Sequence, residues 1–493
     1  MKNLSRKKEL WLAGIFFTVL VFGVLLYTGT ITSGWHLVDD QEYIDYILQM
    51  KVDGASYFEC LKDTILKDLT WRFRPLYYIL RVTFTVFFGT NLVAWSITKG
   101  IVTVIAFFFL YLCAREMKCS SFRAVLFSMV VMVGPQSVVW WKLGPQECTG
   151  MMLFSSAFYF LLKWMETRKQ RYNCGALALL VMAGLYKESF LMMLPFAISY
   201  LFYIDIKREG FHFKTIWESF KKNVVMICTL VAFLIVALMV IFFYSGTDVG
   251  FYDSHMSPNA YKLLWINMLQ NPLKWFVYAV IPLFFIMLTG IKKWPKLIWE
   301  FLLTMAVMIP QFILYLKLGF EERYIIPWVF GYAYFVVIAL GNWEVMQGIR
   351  RTLYYCCIVG LLIMHFPIVI SEGEYFTYRG HSVTEVFHTV LQESEPDSKI
   401  LAAYSPYVES DLTLSFWMRL NGRDHVYAWD NDALTCTDIV GEGEGNMADV
   451  QDMDFILFYN PQDRHYCYEP DIDLTDYTKT EYGTLVICRK NNK

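Results

Sequence analysis

Residues 10–43 read LWLAGIFFTVLVFGVLLYTGTITSGWHLVDDQEY: an apolar run, roughly Leu10 to Thr28, then a short link, then the acidic cluster Asp39-Asp40-Gln41-Glu42-Tyr43. The run is long enough to cross a bilayer. Lys2, Arg6, Lys7 and Lys8 precede it and no small-residue cleavage site follows, so it reads as a retained signal anchor with a cytoplasmic N-terminus. Carboxylates crowded at the end of such a span repel one another. They raise each other's pKa unless a cation, a metal or a proton-donating substrate lies opposite. A surface loop could carry them for no reason, so the side they face decides their meaning.

Working outward, the chain of 493 residues is 56% hydrophobic and 18% aromatic, with mean hydropathy +0.38, which points to a polytopic α-helical membrane protein. Candidate spans fall at 10–30, 91–113, 122–141, 148–165, 174–186, 189–204, 223–244, 274–291, 297–316, 325–341 and 353–370. The basic connectors Arg115/Lys118/Arg123, Arg168/Lys169/Arg171, Lys207/Arg208/Lys221/Lys222, Lys292/Lys293/Lys296 and Arg350/Arg351 all belong inside by the positive-inside rule. About 11 crossings from a cytoplasmic start leave the C-terminal tail outside. Charge agrees independently. From Ser371 onward 23 Asp/Glu face 9 Lys/Arg, whereas the preceding portion has 34 Lys/Arg against 22 Asp/Glu.

Two stretches strain this map. Pro75–Phe88 is too short to cross and reads as an interfacial helix, with the first outer loop at 31–74 before it. Cys174–Tyr203 is short for two crossings, so its turn, Lys187-Glu188, is expected at the bottom of an outward-facing recess. Residues 1–370 are thus read as the membrane domain and 371–493 as a small exoplasmic α/β domain. In the latter, Val383–Glu393 and Ser410–Leu420 are helix-like, and Lys399–Tyr404, His425–Trp429, Asp454–Tyr459 and Thr484–Arg489 are strand-like. Gly441–Gly445 marks a loop. The eleven cysteines show no CxxC or metal-ligand spacing, and Cys436, Cys467 and Cys488 in the tail allow one disulfide at most. Nothing supports nucleic-acid binding.

With sidedness assigned, the outer face collects Asp39, Asp40, Glu42, Arg72, Arg74, Glu147, Lys187, Glu188, Glu321, Glu322, Arg323 and Tyr324. Each has an ordinary reading. The acids could begin a helix over Gln41–Met50. Trp71-Arg72-Phe73-Arg74-Pro75 could be a snorkelling anchor, Glu147 a loop acid, and Arg323 a counter-charge for Glu321 or Glu322. Arg81 and Lys99 lie in apolar runs with no assigned role. Asp430-Asn431-Asp432 could bind a cation or simply be solvated. Lys187-Glu188, between short apolar helices, is harder to dismiss. Together these groups suit transfer from a phosphate-bearing lipid: a carboxylate takes the acceptor's proton while Arg and Lys hold the departing phosphate. No P-loop or Rossmann glycine pattern is present.

At this point the chain resembles the GT-C superfamily of integral-membrane glycosyltransferases, the group of protein O-mannosyltransferases and lipid A aminoarabinose transferases. The resemblance covers about Leu10 to Ile370. It rests on Asp39-Asp40 with Tyr43, Arg74-Pro75-Leu76-Tyr77, Phe88-Gly89-Thr90-Asn91, Gly144-Pro145-Gln146-Glu147, Gly184-Leu185-Tyr186-Lys187, and Glu322-Arg323-Tyr324 with Pro327. It implies inverting transfer from a polyprenyl-phosphate sugar to a cell-envelope glycan, lipid or protein on the outer face. An acid of the first outer loop would be the base: Asp39, with Asp40 second. Some relatives use a divalent cation there; here only His36 accompanies the pair. Lys187 is followed by Glu188 where glycine is common, so Glu188 could neutralise it. Two other classes stay open: a transporter or flippase of lipid-linked saccharides, which would favour mid-membrane charge and repeats, and a non-catalytic anchor for the tail.

Overall fold

The computed structural model describes residues 5–70, 72–144, 146–244, 297–318, 322–404, 408–430, 435–439, 447–463 and 469–491. The span expected at 274–291, Glu321, Asn431, Asp432 and Gly441–Gly445 lie outside them. Among the described residues, seven helices are long and apolar enough to cross a membrane.

The apolar run opens the fold as α1 (Arg6–Tyr27), capped by the Ser5 hydroxyl, which accepts from the Lys8 N–H. The first outer loop then builds two short helices, α2 (Gln41–Lys51) and α3 (Tyr57–Leu69), the latter closed by a Ser56/Glu59 capping box. Pro75 starts α4 (Pro75–Phe88), the expected short helix, where its missing N–H costs no helical bond. Next come α5 (Leu92–Glu116) and α6 (Ser121–Met132). The expected span 122–141 is not one helix: it stops at Met132, and Pro135–Trp140 continues as a 3-10 turn after Gly134.

Beyond that turn run α7 (Glu147–Thr167), α8 (Gln170–Tyr186), α9 (Glu188–Leu191) and α10 (Leu194–Glu209), with Lys187 extended between α8 and α9. The break falls where the short apolar segments required a turn. After α11 (Phe213–Met239) come α12 (Ile298–Leu318) and α13 (Ile326–Ala333). Phe330 of α13 sits edge-on against Phe154 and Phe158 of α7 and Phe196 of α10, which locks three helices at one aromatic node.

The last long apolar helix runs on beyond the span expected at 353–370. α14 (Ile349–Glu393) continues through Ile370 without a break and feeds the sheet domain directly. The sheet has the order β4-β3-β2-β1-β5-β7-β6. Its centre is β1 (Ile400–Ala402), parallel to β2 (Val426–Asp430) and β5 (Phe455–Tyr459), with α15 (Val408–Leu420) crossing from β1 to β2. The flanking strands β3 (Thr435–Asp438), β4 (Met447–Ala448), β6 (Tyr477–Tyr482) and β7 (Leu485–Lys490) pair antiparallel, with β4 and β6 at the edges. One apolar cluster joins the two parts. Trp35, Leu37, Tyr43, Ile44 and Leu48 of the first outer loop pack with Phe387 of α14 and Leu414 and Met418 of α15.

Candidate active site

The loop from α1 to α2 is wedged against α14. Trp35 N–H donates to Thr384 Oγ1 at 3.1 Å, and a Cβ on Gly380 would come within 2.3 Å of the Ser33 carbonyl oxygen. The loop then turns through two non-glycine residues in the left-handed region, Leu37 at φ +57° and Asp39 at φ +56°. L-residues adopt that conformation at some energetic expense, and only where surroundings enforce it.

The two adjacent aspartates are turned to different ends. Asp40 is fully buried, and its Oδ2 accepts from the N–H groups of His36 at 2.5 Å and Leu37 at 3.0 Å. It pins the loop rather than capping α2, because its side chain makes no capping bond. Burial pushes its carboxyl up to about 6, although the two amides and Arg81 pull the other way. Asp39 instead lines a cavity of about 710 Å³. Its Oδ2 accepts from Arg323 Nη1 at 2.9 Å. Burial alone would raise Asp39, but Arg323, with Arg81 and Lys187 behind it, outweighs that and holds the carboxyl at about 2.

Arg72, Arg74, Lys187, Arg323 and Tyr324 line the same cavity. Arg74 is bonded to Asp68 Oδ1 at 2.6 Å and to Tyr78 Oη at 2.7 Å. Lys187 pairs with the fully buried Glu147 and lies 4.5 Å over the Tyr324 ring. Glu147, not the adjacent Glu188, is therefore the partner of Lys187. Burial lowers the Lys187 pKa, and Glu147 opposes that. Glu147 and Glu188 are buried behind the cavity wall and do not line it. Gln146 does line it, 8% exposed, and its amide oxygen has no partner among the described residues.

Arg81 and Lys99 now have clear partners. Buried Arg81 donates to the Asp39 and Tyr77 oxygens and to the Gly144 carbonyl at 3.0 Å, ion-pairs with Glu42 at 2.8 Å, and stacks 4.1 Å over Tyr43. Lys99 donates to the carbonyls of Lys142 and Leu143, the latter at 3.0 Å. Arg81 fixes the Asp39 loop against the Gly144 turn, and Lys99 holds the carbonyls that lead into that turn. Both stood out in the sequence only as charges within apolar runs; the carbonyls they hold carry no sequence signature.

The donor set does not fit a divalent cation. Arg323 occupies the Asp39 carboxylate, Asp40 faces its own loop amides, and no group of three His, Cys, Asp or Glu side chains poised for a metal occurs among the described residues. His36 is buried 2.6 Å from Ser33 Oγ, and burial, with Arg379 and Lys142 nearby, lowers its pKa to about 3.

No family model matches the sequence, and no curated protein matches it. Solved structures do. ArnT from Cupriavidus metallidurans bound to undecaprenyl phosphate aligns over 96% of this chain and 97% of its own, with TM-score 0.51 and 11% identity. The chain has a GT-C-like fold. The apo state of the same ArnT aligns over the same shares at TM-score 0.50 and 12% identity. The GT-C-like likeness thus extends past Ile370 into the sheet domain. At such identity it speaks for the architecture, and the chemistry rests on the cavity.

Proposed function

We propose that this chain transfers a sugar from a polyprenyl-phosphate carrier to an acceptor hydroxyl at the outer face of the membrane, inverting the anomeric centre. The supporting observation is the Asp39 carboxylate paired with Arg323 in a cavity that Arg72, Arg74 and Lys187 also line, beside further acids such as Glu42, Asp68 and Glu409. Its volume, about 710 Å³, lies within the range that encloses a small ligand. The undecaprenyl phosphate bound in the ArnT structure agrees in kind with such a carrier.

In the reaction the acceptor oxygen forms a bond to the anomeric carbon as the bond from that carbon to the phosphate oxygen breaks. The hydroxyl proton passes to Asp39, and the electron pair leaves with the polyprenyl phosphate. The cations stabilise the dianion as it forms. Arg323 has a double role. While it pairs with Asp39 the carboxylate is a weak base, and a donor phosphate that draws Arg323 away raises the basicity of Asp39 as substrate arrives. Asp40 is the loop anchor. The proposed topology has the N-terminus cytoplasmic and the sheet domain exoplasmic. The acceptor is a cell-envelope glycan, lipid or protein.

Mass spectrometry of lipid-linked sugar carried by the purified protein identifies the donor, which is then used for transfer assays in vesicles. Asp39→Asn is expected to abolish transfer with insertion intact. Movement of labelled lipid without any glycosyl product would favour a flippase instead.

A further inference from the structure

We infer that the C-terminal domain is a working part of the site, and that Glu409 of α15 is a positioning residue for Asp39. Glu409 Oε2 accepts the Asp39 backbone N–H at 3.3 Å, across 370 positions of sequence. Glu409, Leu412 and Phe416 also line the cavity, so α15 supplies one of its walls.

The need for such a contact follows from the loop itself. Asp39 and Leu37 both hold positive φ, a conformation that relaxes unless it is fixed from several sides. Arg81 holds the Asp39 carbonyl from the membrane portion, and Gly144 abuts its side chain. Glu409 holds the remaining backbone group, the N–H, from the sheet domain. Beneath them, Leu37 is buried in the apolar cluster that contains Leu414 and Met418 of α15. Trp35 lies 5.6 Å from Trp417. The direction of the Asp39 carboxylate is therefore set jointly by two parts of the chain, and a shift of α15 would turn the carboxylate away from the cations. A misplacement of about 1 Å in such a group lowers rates by roughly 100-fold. The catalytic consequence rests on Asp39 being the base, whereas the contact itself does not.

Hydrogen exchange on the full-length protein in nanodiscs tests this directly. Glu409→Ala is expected to speed exchange of the Asp39 amide about tenfold or more, by loss of a charge-assisted bond. Glu409→Gln keeps an acceptor oxygen and should restore protection. Arg419→Ala removes the 3.9 Å pair between α15 and Asp53 and should leave the Asp39 amide protected. If Glu409→Ala loses the sheet domain, Glu409→Leu keeps the side-chain volume without an acceptor and carries the same test. Unchanged exchange in Glu409→Ala or Glu409→Leu, or a Gln variant as unprotected as Ala, overturns the contact. Full transfer by Asp39→Asn overturns the base role alone, and the exchange result still decides the positioning.

Discussion

The Asp39 carboxylate meets the Arg323 guanidinium at 2.9 Å, joining the first outer loop to a segment 284 positions further along. Both side chains face one cavity. Because this pair depresses the Asp39 carboxyl to about 2, it stays ionised throughout the pH range of most assays. Asp39 should therefore place no acidic limb in kcat/KM above about pH 4. Arg323→Met removes the main opposing charge and leaves burial to raise the pKa. A limb should then enter the pH profile of the residual activity. A profile identical in shape to that of the native protein would contradict the assigned coupling. The folded carboxyl sits below its unfolded value, so its stabilising contribution is present above about pH 4 and fades as pH falls toward 2.

Asp40 behaves in the opposite sense. Its carboxyl is raised to about 6 and binds its proton more tightly in the folded chain than in the unfolded one. The stabilisation that this gives is complete below about pH 4 and is lost as pH rises through 6, a swing of about 3 kcal/mol for two pKa units. Asp40→Asn keeps an oxygen for the His36 and Leu37 amides. Its melting temperature should vary less between pH 4 and 7 than that of the native protein, and transfer should persist. Loss of transfer equal to that of Asp39→Asn would reverse the two assignments.

Gly144 lies against Asp39. A Cβ there would come within 2.2 Å of Asp39 Cβ and 2.7 Å of the Val38 carbonyl oxygen, so backbone must move. Gly144→Ala should cut kcat by about 10- to 100-fold with little change in undecaprenyl phosphate affinity. Calorimetric titration beside the transfer assay separates the two.

Lys187 and Glu147 form a buried pair, so single removals are expected to be severe. Lys187→Met strands a buried carboxylate and should cost about 3–5 kcal/mol. Lys187→Met with Glu147→Leu should recover much of that stability but not undecaprenyl phosphate affinity. Thermal unfolding and lipid binding on all four members of the cycle check both halves.

The tail shows how far local pattern reaches. Strands expected at Lys399–Tyr404, Asp454–Tyr459 and Thr484–Arg489 appear as Ile400–Ala402, Phe455–Tyr459 and Leu485–Lys490, because apolar runs bounded by turns mark strands buried on both faces. The outer strands Thr435–Asp438 and Tyr477–Tyr482 are more polar and carry no apolar run to mark them. Met447–Ala448 is two residues long and has no pattern to detect.

By itself the sequence determined the membrane class, the short helix after Arg74 and the break at Lys187. Each follows from local quantities: run length against bilayer thickness, proline at a helix start, and the rarity of buried charge. Only the tertiary structure decided which of two adjacent aspartates faces the cavity, that Lys187 pairs with Glu147 rather than its neighbour Glu188, and that Arg81, Gly144 and Glu409 hold the loop. The reason is physical. Away from water, a charge takes the partner that the packed backbones bring within about 3 Å, and the partners of Asp39 come from segments that the chain keeps far apart in sequence.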